Sequence, residues 1–149
     1  MALSLRSNPN KCNDPNVLYS PSVREMEMLN DLAVVSKLHE SGGSYNMVAM
    51  YVKNSHREYG YNRLDRLATT VSDIYPDVFG MHAELDLYRK IGRKVGGTVI
   101  IAGTRQTGSK MFNSRPCCYC ATILDLAGIR WAIYYDDGKP IKARVSELI

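Results

Sequence analysis

Three cysteines fall within four residues, in the run Pro116-Cys117-Cys118-Tyr119-Cys120, and no other feature constrains the fold as much. Cysteines this close bridge one another only with strain. The run therefore reads as a metal-binding element of a chain kept in a reducing compartment, not as a disulfide framework. Pro116 suits a place at or just before the first turn of a helix, where its missing N–H costs nothing. In a helix over 117–126, Cys117 and Cys120 stand three apart and share a face. The backbone N–H groups at such a helix start carry partial positive charge and favour the thiolate that binds metal. Cys118 points elsewhere and reads as a small buried hydrophobe. Two thiolates do not complete a site, so the fold must bring another ligand to this helix start.

The run His82-Ala83-Glu84, with thirty-one residues between Glu84 and Pro116, supplies one. His82 sits where a second helix begins and offers one imidazole nitrogen. Two thiolates and an imidazole suit zinc and leave its fourth tetrahedral position open. Water normally fills that position, and zinc lowers its pKa to about 7. Glu84, two residues on, is poorly placed to bind the same ion but can reach that water and carry its proton. A hydroxide and a carried proton are what hydrolytic removal of a ring amine requires. The competing reading is a closed structural zinc site. It needs a fourth protein ligand, which Cys12, His39 or His56 could provide only if a distant segment folded over the cluster.

The rest of the chain reads as a layered α/β domain over 1–149. Residues 1–20 are rich in Asn, Ser and Pro and form an irregular arm. Ser22 and Glu25 have capping-box spacing, which predicts an N-terminal helix over 22–40. Met26, Leu29, Leu32, Ala33 and Leu38 would form its buried face, with Gly42 and Gly43 beyond its end. A strand is predicted over 45–52, then a polar stretch over 53–58 and an antiparallel strand over 58–61. The connection 62–79 has room for a helical turn near Leu64, Leu67 and Val71. A helix runs from His82 towards Arg93, a wholly apolar strand covers 98–102, and a basic loop covers 104–115. After the cysteine helix come Gly128, a strand over 131–135 and the turn Asp136-Asp137-Gly138. The tail 140–149 can return as a last antiparallel strand. Helices alternating with strands in the second half predict helices covering a sheet.

Taken together in this order, H-x-E and P-C-x-x-C resemble the signature of the zinc deaminases. Over about residues 45–135 the chain is similar to the cytidine and deoxycytidylate deaminase superfamily, which includes tRNA adenosine deaminases and polynucleotide cytosine deaminases. The resemblance implies a three-layer α/β/α fold around a mixed sheet of about five strands. It implies zinc on His82, Cys117 and Cys120, with Glu84 as the proton shuttle. Gly60-Tyr61-Asn62 looks like the superfamily's G-x-N, which makes Asn62 a substrate contact. Ala83 stands where a backbone N–H meets the base in relatives, and Tyr119 lies in a region that lines their pocket. The resemblance also implies cytosine as the base and self-association into a homo-oligomer. A cysteine replaces His82 in the tetrameric nucleoside cytidine deaminases, so this chain departs from that branch. Nineteen residues separate Asn62 from His82, more than in compact tRNA deaminases. The stretch Asn113-Ser114-Arg115-Pro116-Cys117 resembles a branch with N-S-K/R-P-C.

Composition decides little beyond this. Apolar residues make up 45% of the 149 and charged residues 23%, enough for a real core and ordinary for a globular chain. No run of eighteen apolar residues offers a membrane span, and the first residues lack a secretory signal. The expected location is cytoplasmic or otherwise intracellular, in a host cell if the source is viral. A net charge of +4 is compatible with a nucleoside or nucleotide substrate and also with nucleic acid. Arg105, Lys110 and Arg115 of the basic loop either meet phosphate or are simply solvated. Deamination of single-stranded DNA or RNA, and a catalytically inactive zinc-binding module, are the alternatives to a free nucleoside or nucleotide substrate.

Overall fold

The computed structural model describes residues 14–42, 45–63, 82–93, 96–105 and 113–149. The chain order is α1 (Val23–Leu38), β1 (Tyr45–Lys53), β2 (His56–Tyr61), α2 (Ala83–Ile91), β3 (Thr98–Arg105), α3 (Cys118–Leu126), β4 (Trp131–Asp136), β5 (Lys139–Arg144) and a 3-10 turn (Val145–Leu148). The strands form one sheet in the order β2-β1-β3-β4-β5. All neighbouring pairs are antiparallel except β3 and β4. A parallel pair needs a crossover, and the segment carrying α3 provides it.

Two apolar clusters make the layers. On one face α1 sets Leu29, Leu32 and Ala33 against Val48, Met50, Ile100, Ala102 and Ile133. On the other, Ala83 and Leu87 of α2 and Ala121 and Leu124 of α3 cover Ala49, Tyr51, Val99, Ile101, Ala132 and Tyr134. Alternate residues of β1 thus serve opposite layers, as the strand period of two requires. The three-layer α/β/α architecture with a mixed five-stranded sheet is present.

Several element ends differ from expectation. The helix predicted over 22–40 is Val23–Leu38, and both hydrogen bonds of the Ser22–Glu25 capping box form. Leu38 is not on its buried face: it is 81% exposed, and Ser36 is buried instead. Positions 29, 32, 33 and 36 follow the helical period, whereas 38 lies two residues past it. Ser36 can be buried because its hydroxyl donates to the Ala33 carbonyl at 2.7 Å and meets Thr104 Oγ1 at 3.2 Å. Strand β2 starts at His56, two residues early, because an edge strand tolerates exposed charges and shows no alternation. Asn54, at φ 56, turns the chain between β1 and β2. Thr104 and Arg105 belong to β3, where they pair with Asn46 and Tyr45, and not to the basic loop. The tail divides into β5 and the 3-10 turn, which buries Val145 and Leu148 in the core beside α3. The arm touches the sheet at Tyr19, which exchanges backbone hydrogen bonds with Lys142 at 2.8 and 3.0 Å. The helical turn expected near Leu64, Leu67 and Val71 lies outside the described residues. Among the described residues no helix is long and apolar enough to cross a membrane.

Candidate metal centre

β3 and β4 stay paired for only three residues, from Thr98–Trp131 to Ile100–Ile133. Beyond that point they separate, and Ser114 fills the gap. Its hydroxyl donates to the Ile101 carbonyl at 2.7 Å and accepts the Tyr135 N–H at 2.9 Å, while its own N–H bonds the Tyr135 carbonyl at 2.9 Å. The segment leading to Cys117 is thus held at the C-terminal ends of a parallel strand pair, where α/β sheets open a crevice. Both helix starts face this edge. His82 is the N-cap of α2 and Cys117 the N-cap of α3.

The three expected ligands meet. His82 Nδ1 lies 3.2 Å from Cys120 Sγ and 3.8 Å from Cys117 Sγ. All three ligand atoms fall within 4.8 Å of one another, and among the described residues no fourth His, Cys, Asp or Glu joins them. A tetrahedral zinc ion with ordinary bond lengths separates nitrogen from sulfur by about 3.6 Å and sulfur from sulfur by about 3.8 Å. The spacing fits. The Cys117 thiolate accepts the Cys120 backbone N–H at 3.5 Å, the capping bond of α3.

Electrostatics fit as well. The Cys117 thiol is held well below its ordinary value, by hydrogen bonding from Cys120 and by His82, against the opposing effect of burial. Cys120 is pushed well above its ordinary value, by burial and then by the neighbouring Cys117 and Glu84. A second thiolate in this buried place thus needs a cation, and a divalent metal on this donor set would supply it.

Glu84 is 4% exposed. Burial raises its pKa, with His82 pulling the other way. Glu84 shares a cavity of about 230 Å³ with Tyr45, Met47, Asn62, His82, Ala83, Asn113, Arg115 and Cys117. Tyr119 is buried but is not in that lining. Ala83 opens α2, so its N–H has no acceptor within the helix. Asn62 is held firmly: its Oδ1 accepts the Met47 N–H at 2.8 Å and its Nδ2 donates to the Tyr45 carbonyl at 3.3 Å. An amide nitrogen has two hydrogens, and one is used there.

His39 pairs its Nε2 with the Asn62 carbonyl at 2.7 Å, and His56 packs edge-on to Tyr51 with ring centroids 5.9 Å apart. Neither belongs to the metal cluster, and Cys12 lies outside the described residues. Cys118 is buried as expected, but it is also disulfide-bonded. The free thiols of the described residues are therefore Cys117 and Cys120, the two read as metal ligands, whereas the expectation of a fully reduced cysteine run fails at Cys118.

Tyr45 and Asp86 are among the residues that the sequence reading does not single out. Tyr45 lines the cavity, and burial together with Glu84, Cys117 and Cys120 raises its phenol pKa. Period-two alternation with Ala49 and Tyr51 was the available signal, but it does not say which face of β1 meets α2. Asp86 is buried; its Oδ2 accepts the Tyr61 N–H at 2.9 Å, and its Oδ1 meets Arg89 at 2.6 Å. It ties the first turn of α2 to the end of β2. An acidic residue in a first turn is too common to single out from sequence.

No family model matches the sequence, and no curated protein matches it. Among solved structures, the chain is similar to a mutant cytidine deaminase from Mycobacterium tuberculosis, at 17% identity and a TM-score of 0.47. That likeness covers 83% of this chain and 93% of the other.

Proposed function

We propose that the protein is a zinc-dependent hydrolytic deaminase of a nucleobase amine, cytosine in a nucleoside or nucleotide. The observation that carries this reading is the convergence of His82, Cys117 and Cys120 beside a buried Glu84, with His82, Cys117 and Glu84 lining one cavity. Zinc held by those three residues would supply Lewis-acid activation of water at the cavity wall.

The chain's own residues supply the rest. The Glu84 carboxylate would carry two protons in turn: one from the attacking water to the ring nitrogen, and a second from the resulting ring hydroxyl to the departing amine. Burial raises its pKa, the direction that suits a group that must both bind and release a proton. The Ala83 N–H and the remaining amide hydrogen of Asn62 position the base. Asp86 and Gly60 hold α2 against β2, and this fixes Glu84 relative to Cys117 and Cys120.

The test is ammonia release by zinc-loaded protein on cytosine, cytidine, deoxycytidine, their monophosphates, adenosine, guanine and single-stranded DNA and RNA. Release from a cytosine compound, lost in Glu84→Gln with one zinc still bound, is the expected result. One bound zinc with no release from any compound would overturn the reading in favour of an inactive zinc-binding module.

A further inference from the structure

The cavity wall is of two chemical kinds. His82, Cys117 and Glu84 bring the metal-binding cluster and the carboxylate to it, and Asn113 and Arg115 add to the same lining. Both of these offer donors. Arg115 has five N–H groups and no acceptor. Asn113 has its carbonyl oxygen taken by the Asp137 N–H at 2.7 Å, which leaves the NH₂ as its donor group. Ser114, between them, is pinned to β3 and β4, so both residues sit on a fixed strip of backbone.

Arg115 is also a guanidinium in a poorly hydrated place. Its side chain is 19% exposed, and its Nη1 pairs at 2.8 Å with Asp14, whose side chain is 93% exposed. Asp14 is thus a carboxylate presented from solvent by the N-terminal arm. An exposed ion pair of this kind holds weakly and exchanges readily. The buried Tyr134 adds no compensating charge, because burial pushes its phenol up to about 12 despite the pull of Arg115.

We infer that Arg115, with Asn113 beside it, receives the phosphate of a nucleoside monophosphate, and that Asp14 is the carboxylate this phosphate displaces. The inference rests on the deaminase reading of the same cavity and narrows its substrate class from nucleoside or nucleotide to nucleotide. A neutral amine-bearing ring would lie against Glu84 and the metal ligands, and the anion would lie at the cationic wall.

The experiment is isothermal titration of the zinc-loaded full chain with cytidine, cytidine 5′-monophosphate, adenosine 5′-monophosphate and a fifteen-nucleotide single-stranded DNA. The expected result is cytidine 5′-monophosphate binding about tenfold or more tightly than cytidine, the scale of one charge-assisted contact. Arg115→Gln should bring that ratio close to one, and Asp14→Asn should widen it by removing the competitor. Lys37→Gln, which removes the same charge from the exposed side of α1, controls for net charge. A wild-type ratio of one, a ratio that survives Arg115→Gln, or a ratio narrowed by Asp14→Asn would each overturn the inference. So would tight oligonucleotide binding that weakens steeply with salt while the monophosphate binds no better than the nucleoside. The two readings fail separately. Arg115-dependent binding of both monophosphates without ammonia release keeps the phosphate site and removes the deaminase. Turnover of nucleosides with no gain from phosphate does the reverse.

Discussion

The two faces of the sheet are built to different ends. Under α1 the sheet meets Leu29, Leu32 and Ala33, and two buried hydroxyls, of Ser36 and Thr104, bond each other. Under α2 and α3 an equally apolar layer stops short at the strand ends, where Glu84 and Cys120 are buried beside a half-buried Cys117. Burying ionisable groups side by side costs stability unless something balances their charge. The α1 face thus stabilises the fold, and the α2/α3 face gives up some of that stability to hold chemistry. Substitutions on one face should then move what the other does not.

The largest separation is expected in turnover. Glu84→Gln keeps size and burial but cannot carry a proton, and the rate should fall by about 10²- to 10⁴-fold. Zinc stoichiometry by atomic absorption should stay at one, because Glu84 is not in the ligand cluster. Leu29→Ala is its counterpart. Leu29 is fully buried under α1, so truncation should cost about 2–5 kcal/mol in urea unfolding. Zinc affinity should be unaffected under conditions where the variant is folded. Lost zinc binding in folded Leu29→Ala would show that the two faces are coupled.

Gly60→Ala probes the boundary between scaffold and site. A Cβ there would lie 2.3 Å from the Ala83 carbonyl oxygen and 2.4 Å from the Leu87 nitrogen, both backbone atoms that cannot swing aside. Helix α2 must shift, and His82 and Glu84 shift with it. A loss of about 1–3 kcal/mol is expected, accompanied by weaker zinc binding in a competition titration against a chelating dye. Destabilisation with unchanged zinc affinity would mean that α2 absorbs the clash without moving its first turn.

This boundary also separates what was legible in the sequence from what was not. The ligands were legible because each pattern is local: Cys117 and Cys120 share a helix start, and His82 opens another. The Ser22–Glu25 box was legible for the same reason. Tyr45, Asn113 and Arg115 were not assigned to the cavity because their places depend on which face of β1 meets α2 and on where β3 and β4 part. No spacing within one segment encodes those long-range facts. The start of β2 was missed because an exposed edge strand carries no alternation. Leu38 misled because residue type was weighed above helical phase.

The smallest effect expected is electrostatic and belongs to the α1 face. Glu25 closes the capping box and its Oε2 meets Lys142 of β5 at 2.9 Å. Burial alone would raise its pKa, but the Ser22 N–H and Lys142 outweigh burial and hold it below the ordinary 4.5. A carboxylate with a depressed folded pKa contributes stability at pH above its ordinary value. It loses that contribution as pH falls from about 4.5 through the lower folded value. Glu25→Gln keeps a side-chain acceptor for Ser22 and removes the charge. At pH 7 the variant should be less stable by up to about 1 kcal/mol, given the partial exposure of the pair. The gap to wild type should close as pH is taken below 4.5, and comparison of urea midpoints at pH 7 and pH 3 reads it. Taking the difference between two chains alike in every other group cancels the titration of the site itself. A gap that stays constant with pH would show that Glu25 acts through cap geometry and packing, with no net contribution from its charge. Ammonia release at pH 7 should be the same in both proteins, since neither Glu25 nor Lys142 lines the cavity.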